Sequence, residues 1–191
     1  MLVPHEMKGQ IIGVLGLGES GLAAVAALEA AGAHVFAFDD MKSQQDVSQI
    51  TLTSWCDWPW EELKAMVISP GIPHNYPMPH PAAAHAMRHQ IPIISEVELA
   101  LRAKPKARLV AITGTNGKST TTALIGHCLQ DAKYPVAIGG NLGDAACSLD
   151  DPGEHGALVL ELSSYQLETT PSLKPSISIL LNISPDHLDR H

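Results

Sequence analysis

Short runs of consecutive apolar residues recur along the chain, and each is followed by a turn rich in glycine, proline or small polar residues. Their length and their Val, Ile and Leu content are typical of strands buried in a parallel sheet. The runs cover residues 10–15, 33–38, 65–69, 92–94, 109–112, 136–138, 157–160 and 177–181. Segments with helical periodicity lie between most of them. This alternation predicts an α/β fold.

Two units of this kind follow one another. The first ends with a short predicted helix at residues 96–102, after which Lys104-Pro105-Lys106-Ala107 interrupts the pattern and a new strand begins. We therefore predict a Rossmann-like domain over residues 1–104. We predict the first part of a P-loop ATPase-like, parallel-sheet domain over residues 105–191.

The first strand leads into a glycine-rich turn with the pattern G-x-G-x-x-G, residues 16–21, and then into an Ala-rich helix. The next strand ends at Asp39, which is placed to accept a ribose hydroxyl. A strand, these glycines, a helix and an acidic residue together are the pattern of a dinucleotide-binding βαβ unit. The pattern alone favours NAD over other nucleotides, and a merely tight turn is the simpler alternative.

A second glycine-rich turn, Gly114-Thr115-Asn116-Gly117-Lys118-Ser119, follows the strand at residues 109–112. Glycines let backbone N–H groups converge on an anion, the next helix adds its positive end, a lysine adds charge, and a serine hydroxyl can bind Mg²⁺. The general phosphate-loop pattern has a further glycine where this chain has Ile112. A glycine-rich turn without a ligand is the alternative.

The helix after this turn is expected to bury one apolar face. The face predicted from the spacing consists of Leu124, Ile125, Cys128, Leu129 and Ala132.

Polar side chains also follow the other predicted strands. Glu161 comes at the end of a nearly continuous apolar run, where a carboxylate is costly unless it is paired or bound to a metal. With the Ser119 hydroxyl it can hold the Mg²⁺ that bridges ATP oxygens. Asn141 lies in a glycine-rich turn, and His187 lies between Asp186 and Asp189, where a second metal position is possible.

Other residue groups favour structural roles. Ser163 and Gln166 have the spacing of a capping box, which satisfies the first N–H groups of a helix. Trp55, Trp58 and Trp60 are expected to anchor a loop to the core. His85 and His89 are spaced as a pair on one helix face, but no third ligand is evident, so we predict no zinc site there.

Composition narrows the classes of partner. The net charge is −8 with only 12 Lys and Arg, which argues against a nucleic-acid-binding surface and against binding to an anionic membrane. The 3 cysteines are widely spaced, so no disulfide framework is expected. We expect a cytoplasmic protein without membrane segments.

Taken together, the motifs resemble those of the Mur ligase family. The matching segments are G-L-G-E-S-G at 16–21, S-P-G-I-P at 69–73, I-T-G-T-N-G-K-S-T at 112–120, G-G-N-L-G at 139–143, L-E-L-S-S-Y-Q-L-E-T at 160–169 and N-I-S-P-D-H-L-D at 182–189. The phosphate loop and D-H-L-D are shared with folylpolyglutamate synthases. The segments at 69–73 and 160–169 are more similar to the branch of the family that adds D-glutamate.

This resemblance implies roles for individual residues. The first domain would hold the UDP part of UDP-N-acetylmuramoyl-L-alanine instead of NAD. The residues implied on that substrate are Gly18, Glu19, Ser20, Asp39, Asp40, Ser69, Pro70, Gly71, Asn141, Ser163 and Gln166. Those implied on ATP are Gly114, Thr115, Asn116, Gly117, Lys118, Ser119 and Thr120. Ser119, Glu161 and His187 would hold Mg²⁺, and Lys118 and His187 would be catalytic.

The resemblance also implies a reaction. In this family ATP phosphorylates the substrate carboxylate, and the amine of D-glutamate then opens the acyl phosphate. The members continue beyond the segments seen here, so we expect this chain to be a fragment, monomeric and unable to complete the ligation alone. The alternatives are another Mur or folylpolyglutamate-type ligase, an NAD-dependent oxidoreductase, and a nucleotide-binding module without catalysis.

Overall fold

A computed structural model describes residues 1–141 and 143–190 of the 191-residue chain. The strands are β1 (Ile11–Leu15), β2 (His34–Phe38), β3 (Leu63–Ile68), β4 (Ile93–Ile94), β5 (Arg108–Thr113), β6 (Val136–Gly140), β7 (Ala157–Glu161) and β8 (Ile177–Leu180). The α-helices are α1 (Glu19–Ala31), α2 (Pro81–Arg88), α3 (Glu96–Arg102), α4 (Lys118–Asp131) and α5 (Ser164–Glu168). Short 3-10 helices cover His5–Met7, Trp55–Asp57 and Ala146–Ser148.

The strands form two four-stranded sheets, with the order β2-β1-β3-β4 in the first and β6-β7-β5-β8 in the second. The named strands pair in parallel throughout. The predicted α/β class, with one parallel-sheet unit after another, is confirmed. Each predicted strand is present, with its ends shifted by one or two residues.

The register of the strands brings the functional turns to one edge of each sheet. Leu15, the last residue of β1, is paired with Ile68, the last residue of β3. In the second sheet Ile112 of β5 is paired with Glu161 of β7. The turns that leave these strands therefore start side by side, as they do at the ligand-binding edge of open parallel sheets.

The tryptophans pack one side of the first sheet. Trp58 and Trp60 are buried in a cluster that includes Leu15 and Met66. Their indole N–H groups donate to the carbonyl oxygens of Thr53 and Trp55, at 3.0 and 2.9 Å. Since buried indoles need such partners, the cluster fixes the loop before β3. The predicted structural role of these side chains is confirmed.

The predicted apolar face of α4 is confirmed for Ile125 and Leu129, which pack against the second sheet, and is wrong for the other three residues. Leu124 is 59% exposed, and Cys128 and Ala132 are also exposed. The helix instead turns Thr122 and Gly126 towards the sheet, with Ile125 and Leu129 beside them. A Cβ on residue 126 would overlap the side chain of Ile138, so a glycine lies where helix and sheet approach most closely. Side-chain size, more than hydrophobicity, decides which face is buried here.

Helix α3 joins the first sheet to the second. The Ser95 hydroxyl, at the N-cap of α3, lies 2.7 Å from that of Thr170, and the Glu98 carboxylate accepts from the backbone and the hydroxyl of Ser172. The Glu96 carboxylate accepts from the backbone N–H of Cys147. The chain crosses between the sheets at residues 103–107, around the predicted domain boundary at 104/105. Independent folding of the two predicted domains stays a prediction.

The three cysteines are free thiols. Cys56 and Cys128 are exposed thiols, and Cys147 is a buried one. Burial, followed by the neighbouring Glu96 charge, raises the pKa of the Cys147 thiol. Within residues 1–141 and 143–190, no helix combines the length and the apolar character needed to cross a lipid bilayer.

Candidate functional site

The turn after β1 and the loop after β3 form one continuous surface. A Cβ on Gly21 would overlap the carbonyl oxygen of Gly16, so only a glycine allows α1 to start this close to the turn. The Ser69 hydroxyl donates to the same carbonyl oxygen, at 3.0 Å. The glycine-rich turn is thereby fixed against the Ser-Pro-Gly segment.

Asp39 holds this turn from the end of β2. Its carboxylate accepts hydrogen bonds from the backbone N–H groups of Leu17, Met41 and Lys42, at 2.6, 2.8 and 3.1 Å. The Lys42 ammonium donates to the Leu17 carbonyl oxygen. Burial raises the pKa of Asp39, but these hydrogen bonds and the Lys42 charge outweigh it and lower the pKa. Both carboxylate oxygens are engaged within the protein, so the binding of a ribose by Asp39 stays a prediction.

The first cavity lies where this surface meets the second sheet. Its volume is about 350 Å³. The lining residues are Gly18, Glu19, Ser20, Ser69, Pro70, Gly71, Gly140, Asn141, Gly143 and Ala145. The structure thus brings Asn141 of the second sheet to the residues predicted to hold the UDP substrate. Asp39 and Asp40 are not among the lining residues.

Asp40 is paired with His80 instead. The carboxylate lies 3.0 Å from His80 Nε2, while His80 Nδ1 accepts the backbone N–H of Ala82 at the start of α2. Because Nδ1 acts as the acceptor, Nε2 carries the proton that is donated to Asp40. Asp40 therefore ties the loop after β2 to α2, and its contact with uracil stays a prediction.

The second glycine-rich turn has the backbone of an anion site. Gly117 has φ +86°, a left-handed conformation that favours glycine. The next residues start the 14-residue helix α4. Across the described residues, the backbone N–H groups of Gly117, Lys118, Ser119 and Thr120 donate to no acceptor. Unused N–H groups at the positive end of a helix are suited to phosphate oxygens.

Asn182 holds the other side of this turn, a role that sequence reasoning missed. Its side chain accepts the Asn116 N–H and donates to the Asn116 carbonyl oxygen, at 2.9 Å each. Its backbone carbonyl oxygen accepts the Thr115 N–H at 3.1 Å. The Thr115 hydroxyl and Ser184 form reciprocal hydrogen bonds, at 3.1 and 3.0 Å. The segment after β8 therefore fixes the turn that follows β5.

The second cavity lies beside this turn. Its volume is about 380 Å³. The lining residues are Thr113, Gly114, Thr115, Lys118, Ser163, Ser164, Leu167, Leu180, Asn182, Ile183, Ser184, Asp186 and His187. Lys118 and His187, the predicted catalytic residues, therefore share a cavity. Asn116, Gly117, Ser119 and Thr120 are exposed on the outer side of the turn.

The Lys118 ammonium points back towards the turn. It donates to the carbonyl oxygens of Gly114 and Thr115, at 2.7 and 3.0 Å. These neutral acceptors hold the side chain against the phosphate loop. An anionic ligand at the free N–H groups can exchange them for charged oxygens, which form stronger hydrogen bonds with an ammonium group.

Glu161 is a buried carboxylate between the two cavities. It is 2% exposed, and its Oε1 accepts from the Asn141 side chain at 3.1 Å. Its Oε2 is buried without a hydrogen-bond partner among the described residues. A buried carboxylate oxygen without a donor is unfavourable unless a cation or a proton reaches it. Glu161 lines neither cavity, but Asn141 connects it to the first one.

Ser163 and Gln166 form the predicted capping box of α5. Gln166 Oε1 accepts the Ser163 N–H at 3.0 Å, and the Ser163 hydroxyl accepts the Gln166 N–H at 3.3 Å. Ser163 lines the second cavity, whereas Gln166 is 2% exposed and lines neither. Their predicted contact with the muramoyl substrate stays a prediction.

The predicted metal ligands are not gathered into one cluster. Among the described residues, no three His, Cys, Asp or Glu side chains come together as a metal site. Ser119, Glu161 and His187 make no hydrogen bonds with one another in that part of the chain. The His187 side chain is 56% exposed. Their assignment to Mg²⁺ stays a prediction.

Two contacts join the loop after β3 to helix α5 and to the segment after β8, and sequence reasoning missed both. Arg190 Nη1 donates to the Gly71 carbonyl oxygen at 3.1 Å. His74 Nε2 lies 3.1 Å from the Glu168 carboxylate. Their partners are far away in the sequence, so no local pattern indicates them. The only available signal was their position beside motifs that carry the chemistry.

Comparisons with family models and with known proteins agree with one another. Residues 112–191 match the model of the Mur ligase middle domain. The chain is 47% identical over 199 aligned positions to the UDP-N-acetylmuramoylalanine–D-glutamate ligase of Rhodospirillum rubrum, covering 100% of this chain and 42% of that protein. It is 49% identical to the ligase of that name from Paramagnetospirillum magneticum, covering 97% of this chain and 41% of that protein. The chain thus spans less than half the length of these relatives.

A solved structure gives the same fold. The UDP-N-acetylmuramate:L-alanyl-gamma-D-glutamyl-meso-diaminopimelate ligase from Neisseria meningitides matches with a TM-score of 0.54 and 18% identity. The match covers 95% of this chain and 63% of that one. At this identity the similarity concerns the fold alone.

Proposed function

Because the chain belongs to the Mur ligase family, we propose that it carries the nucleotide-binding part of an ATP-dependent ligase of peptidoglycan precursor synthesis. The proposed reaction adds D-glutamate to UDP-N-acetylmuramoyl-L-alanine. The observation that carries the proposal is the phosphate loop at the start of α4: the N–H groups of residues 117–120 have no acceptor among the described residues, and Lys118 lines the second cavity. The substrates are inferred from the two relatives, which are named as UDP-N-acetylmuramoylalanine–D-glutamate ligases.

The first cavity is the proposed site of the UDP substrate. Gly18, Glu19 and Ser20 lie at the N terminus of the 13-residue helix α1, which favours a negatively charged pyrophosphate. The Ser-Pro-Gly loop forms the opposite wall. Asn141 contributes from the second sheet, so a substrate that fills this cavity reaches towards Glu161.

The second site is proposed for ATP. The four unused N–H groups of residues 117–120 would hold phosphate oxygens. Lys118 would leave its two loop carbonyls and neutralise charge on the transferring phosphoryl group. Asn182 keeps the loop in the conformation that these contacts require.

One oxygen of Glu161 is suited to a magnesium ion. The buried Glu161 Oε2 has no partner among the described residues, and a cation would satisfy it. We propose Glu161 and Ser119 as ligands of one Mg²⁺ and His187 as a ligand of a second. When bound, Mg²⁺ supplies positive charge that offsets the charge on the phosphoryl oxygens.

The proposed chemistry proceeds through an acyl phosphate. A carboxylate oxygen of the muramoyl substrate attacks the γ-phosphorus of ATP, and ADP leaves. The amine of D-glutamate then attacks the acyl carbon, so that the amide bond forms and inorganic phosphate and a proton are released. The Lys118 charge favours the first step by stabilising the phosphoryl group as it is transferred. We also propose that the protein acts in the cytoplasm, as a monomer, on small molecules and without nucleic acid.

Calorimetric titration tests the proposal. We expect the chain to bind UDP-N-acetylmuramoyl-L-alanine and, in the presence of Mg²⁺, a non-hydrolysable ATP analogue. Lys118→Met should weaken binding of the analogue by about 10-fold, because a charge-assisted hydrogen bond is lost. Lys64→Met, which changes an exposed lysine of β3, is the matched control and should change neither affinity.

Binding of NADH instead of the UDP substrate would favour an oxidoreductase and overturn the proposal. Equal loss of analogue binding in both lysine variants would show that Lys118 has no specific role in the phosphate site.

A further inference from the structure

Arg190 connects the surroundings of the two cavities. Its guanidinium lies over the Tyr165 ring, 4.4 Å from the ring centroid, and donates to the carbonyl oxygen of Gly71. Gly71 lines the first cavity. Tyr165 belongs to α5, directly after Ser163 and Ser164, which line the second. One side chain therefore contacts an element of each site.

A tight turn links Arg190 to His187. The Arg190 N–H donates to the His187 carbonyl oxygen at 2.8 Å, and His187 has φ +50°. The His187 ring lies 5.4 Å from the Tyr165 ring, centroid to centroid. His187, which lines the second cavity, is therefore in contact with both Arg190 and Tyr165.

The Arg190 guanidinium can form a further hydrogen bond. Its Nε is buried and has no hydrogen-bond partner among the described residues. Among the described residues, the hydrogen bond to Gly71 and the contact with the Tyr165 ring hold the guanidinium in place. His74 and Glu168 form a second contact between the same loop and the same helix, at 3.1 Å, so the loop after Ser69 is tied to α5 at two points.

We propose that Arg190 is a positioning residue that couples the two sites: a ligand in the first cavity sets the Gly71 carbonyl, and through Arg190 it sets His187 beside the phosphate loop. The inference rests on the proposed function, since it requires a UDP ligand and an ATP ligand. Coupling of this kind is reciprocal, so each ligand changes the affinity for the other by the same factor.

The test measures this factor. The affinity of the chain for a non-hydrolysable ATP analogue with Mg²⁺ is determined by calorimetry with and without saturating UDP-N-acetylmuramoyl-L-alanine. We expect the UDP ligand to tighten analogue binding by about 5-fold or more in the unmodified chain. In Arg190→Met, which keeps most of the stem and loses the charged group, the factor should fall to about 1. Each ligand alone should bind within about 3-fold of its original affinity.

Arg108→Met makes the same change at an exposed residue at the start of β5 and should leave the factor unchanged. If Arg190→Met does not fold, Arg190→Lys keeps the charge and loses the planar contact with Tyr165, and it should lower the factor as well. If Arg190 only stabilises the fold, Arg190→Met should lower the melting temperature and leave the coupling factor between the two ligands unchanged. That result overturns the inference. So does independent binding of the two ligands to the unmodified chain. Failure of either ligand to bind at all contradicts the proposed function instead.

Discussion

The side-chain amide of Asn182 pairs with both backbone polar groups of Asn116, accepting the N–H and donating to the carbonyl oxygen at 2.9 Å each. The Asn182 side chain thus forms with Asn116 the two hydrogen bonds that the backbone of a neighbouring strand would form. Since its backbone carbonyl oxygen also accepts the Thr115 N–H, the N–H groups of Thr115 and Asn116 are used inside the protein. The run of consecutive N–H groups that find no acceptor among the described residues therefore begins at Gly117.

Asn182→Ala should weaken binding of ATP. The substitution removes two hydrogen bonds that hold the loop, each contributing about 1 kcal/mol. Without them the N–H groups of residues 117–120 spend less time in the arrangement that suits a phosphate. We expect the affinity for an ATP analogue with Mg²⁺, measured by calorimetry, to fall by about 10-fold, while the affinity for the UDP substrate changes little.

Asn75→Ala is the control for this prediction, because Asn75 is an exposed loop residue of the same type. An analogue affinity that stays unchanged in Asn182→Ala would mean that the loop keeps its shape without the amide.

Asp39→Asn should loosen the first glycine-rich turn. An amide keeps only one acceptor oxygen and loses the charge that strengthens the hydrogen bonds from Leu17, Met41 and Lys42. We expect a loss of about 1–2 kcal/mol in the free energy of unfolding at pH 7, measured in urea. Affinity for the UDP substrate should fall with it, because the turn forms part of the first cavity.

The sign of the pH dependence follows from the direction of the pKa shift. Hydrogen bonds lower the pKa of Asp39 below its usual value of 3.8. The stabilisation by its ionised form is therefore complete above the unfolded pKa and is lost as pH falls through the lower, folded pKa. The difference between Asp39→Asn and the unmodified chain should shrink below about pH 4. Asp57→Asn, at an exposed aspartate, should show no such difference.

Glu161→Gln should separate stability from metal binding. The substitution removes a buried charge whose Oε2 has no partner among the described residues, so the melting temperature should rise or stay the same. Loss of the anionic ligand should at the same time reduce by at least about 10-fold the tightening of ATP-analogue binding by Mg²⁺. Calorimetry at several Mg²⁺ concentrations measures this tightening.

Glu154→Gln, in an exposed loop, is the matched control for Glu161→Gln. If Glu161→Gln lowers the melting temperature and leaves the Mg²⁺ dependence intact, Glu161 is a structural residue and not a metal ligand.

Local sequence patterns were sufficient for the sheets. A buried parallel strand needs a short apolar run, and a turn between such a strand and a helix needs residues with particular backbone freedom. Both requirements are visible within a few residues, as at residues 109–112 and the following Gly114. The resemblance to the Mur ligase family, and not a local pattern, suggested that Asn141 and the Ser-Pro-Gly loop belong to a site; both line the first cavity.

Packing and long-range contacts were not visible in this way. The pattern of α4 suggested that Leu124 and Cys128 are buried, but Gly126 and Thr122 take the contact because the sheet comes close there. The contact between Arg190 and Gly71 joins residues 119 positions apart. No periodic pattern relates such positions, so only the folded chain shows the pair.

Glu96, a buried carboxyl at the junction of the two sheets, should make the stability of the protein depend on pH. One of its oxygens accepts from the Cys147 N–H, and the other is buried without a partner among the described residues. Burial raises the pKa of Glu96 to about 6, although the hydrogen bonds from Cys147 act in the opposite direction.

A raised pKa means that the folded chain binds the proton more tightly than the unfolded chain does. The contribution of Glu96 to stability is therefore largest below the unfolded pKa of 4.5 and is lost as pH rises through about 6. The loss is on the order of 2 kcal/mol. Glu96→Gln cannot ionise, so relative to the unmodified chain it should gain stability between pH 4.5 and 7. Urea unfolding across this range measures the difference, and Glu62→Gln, at an exposed glutamate, is the control. A constant difference between Glu96→Gln and the unmodified chain across this range would mean that Glu96 keeps an ordinary pKa in the folded chain.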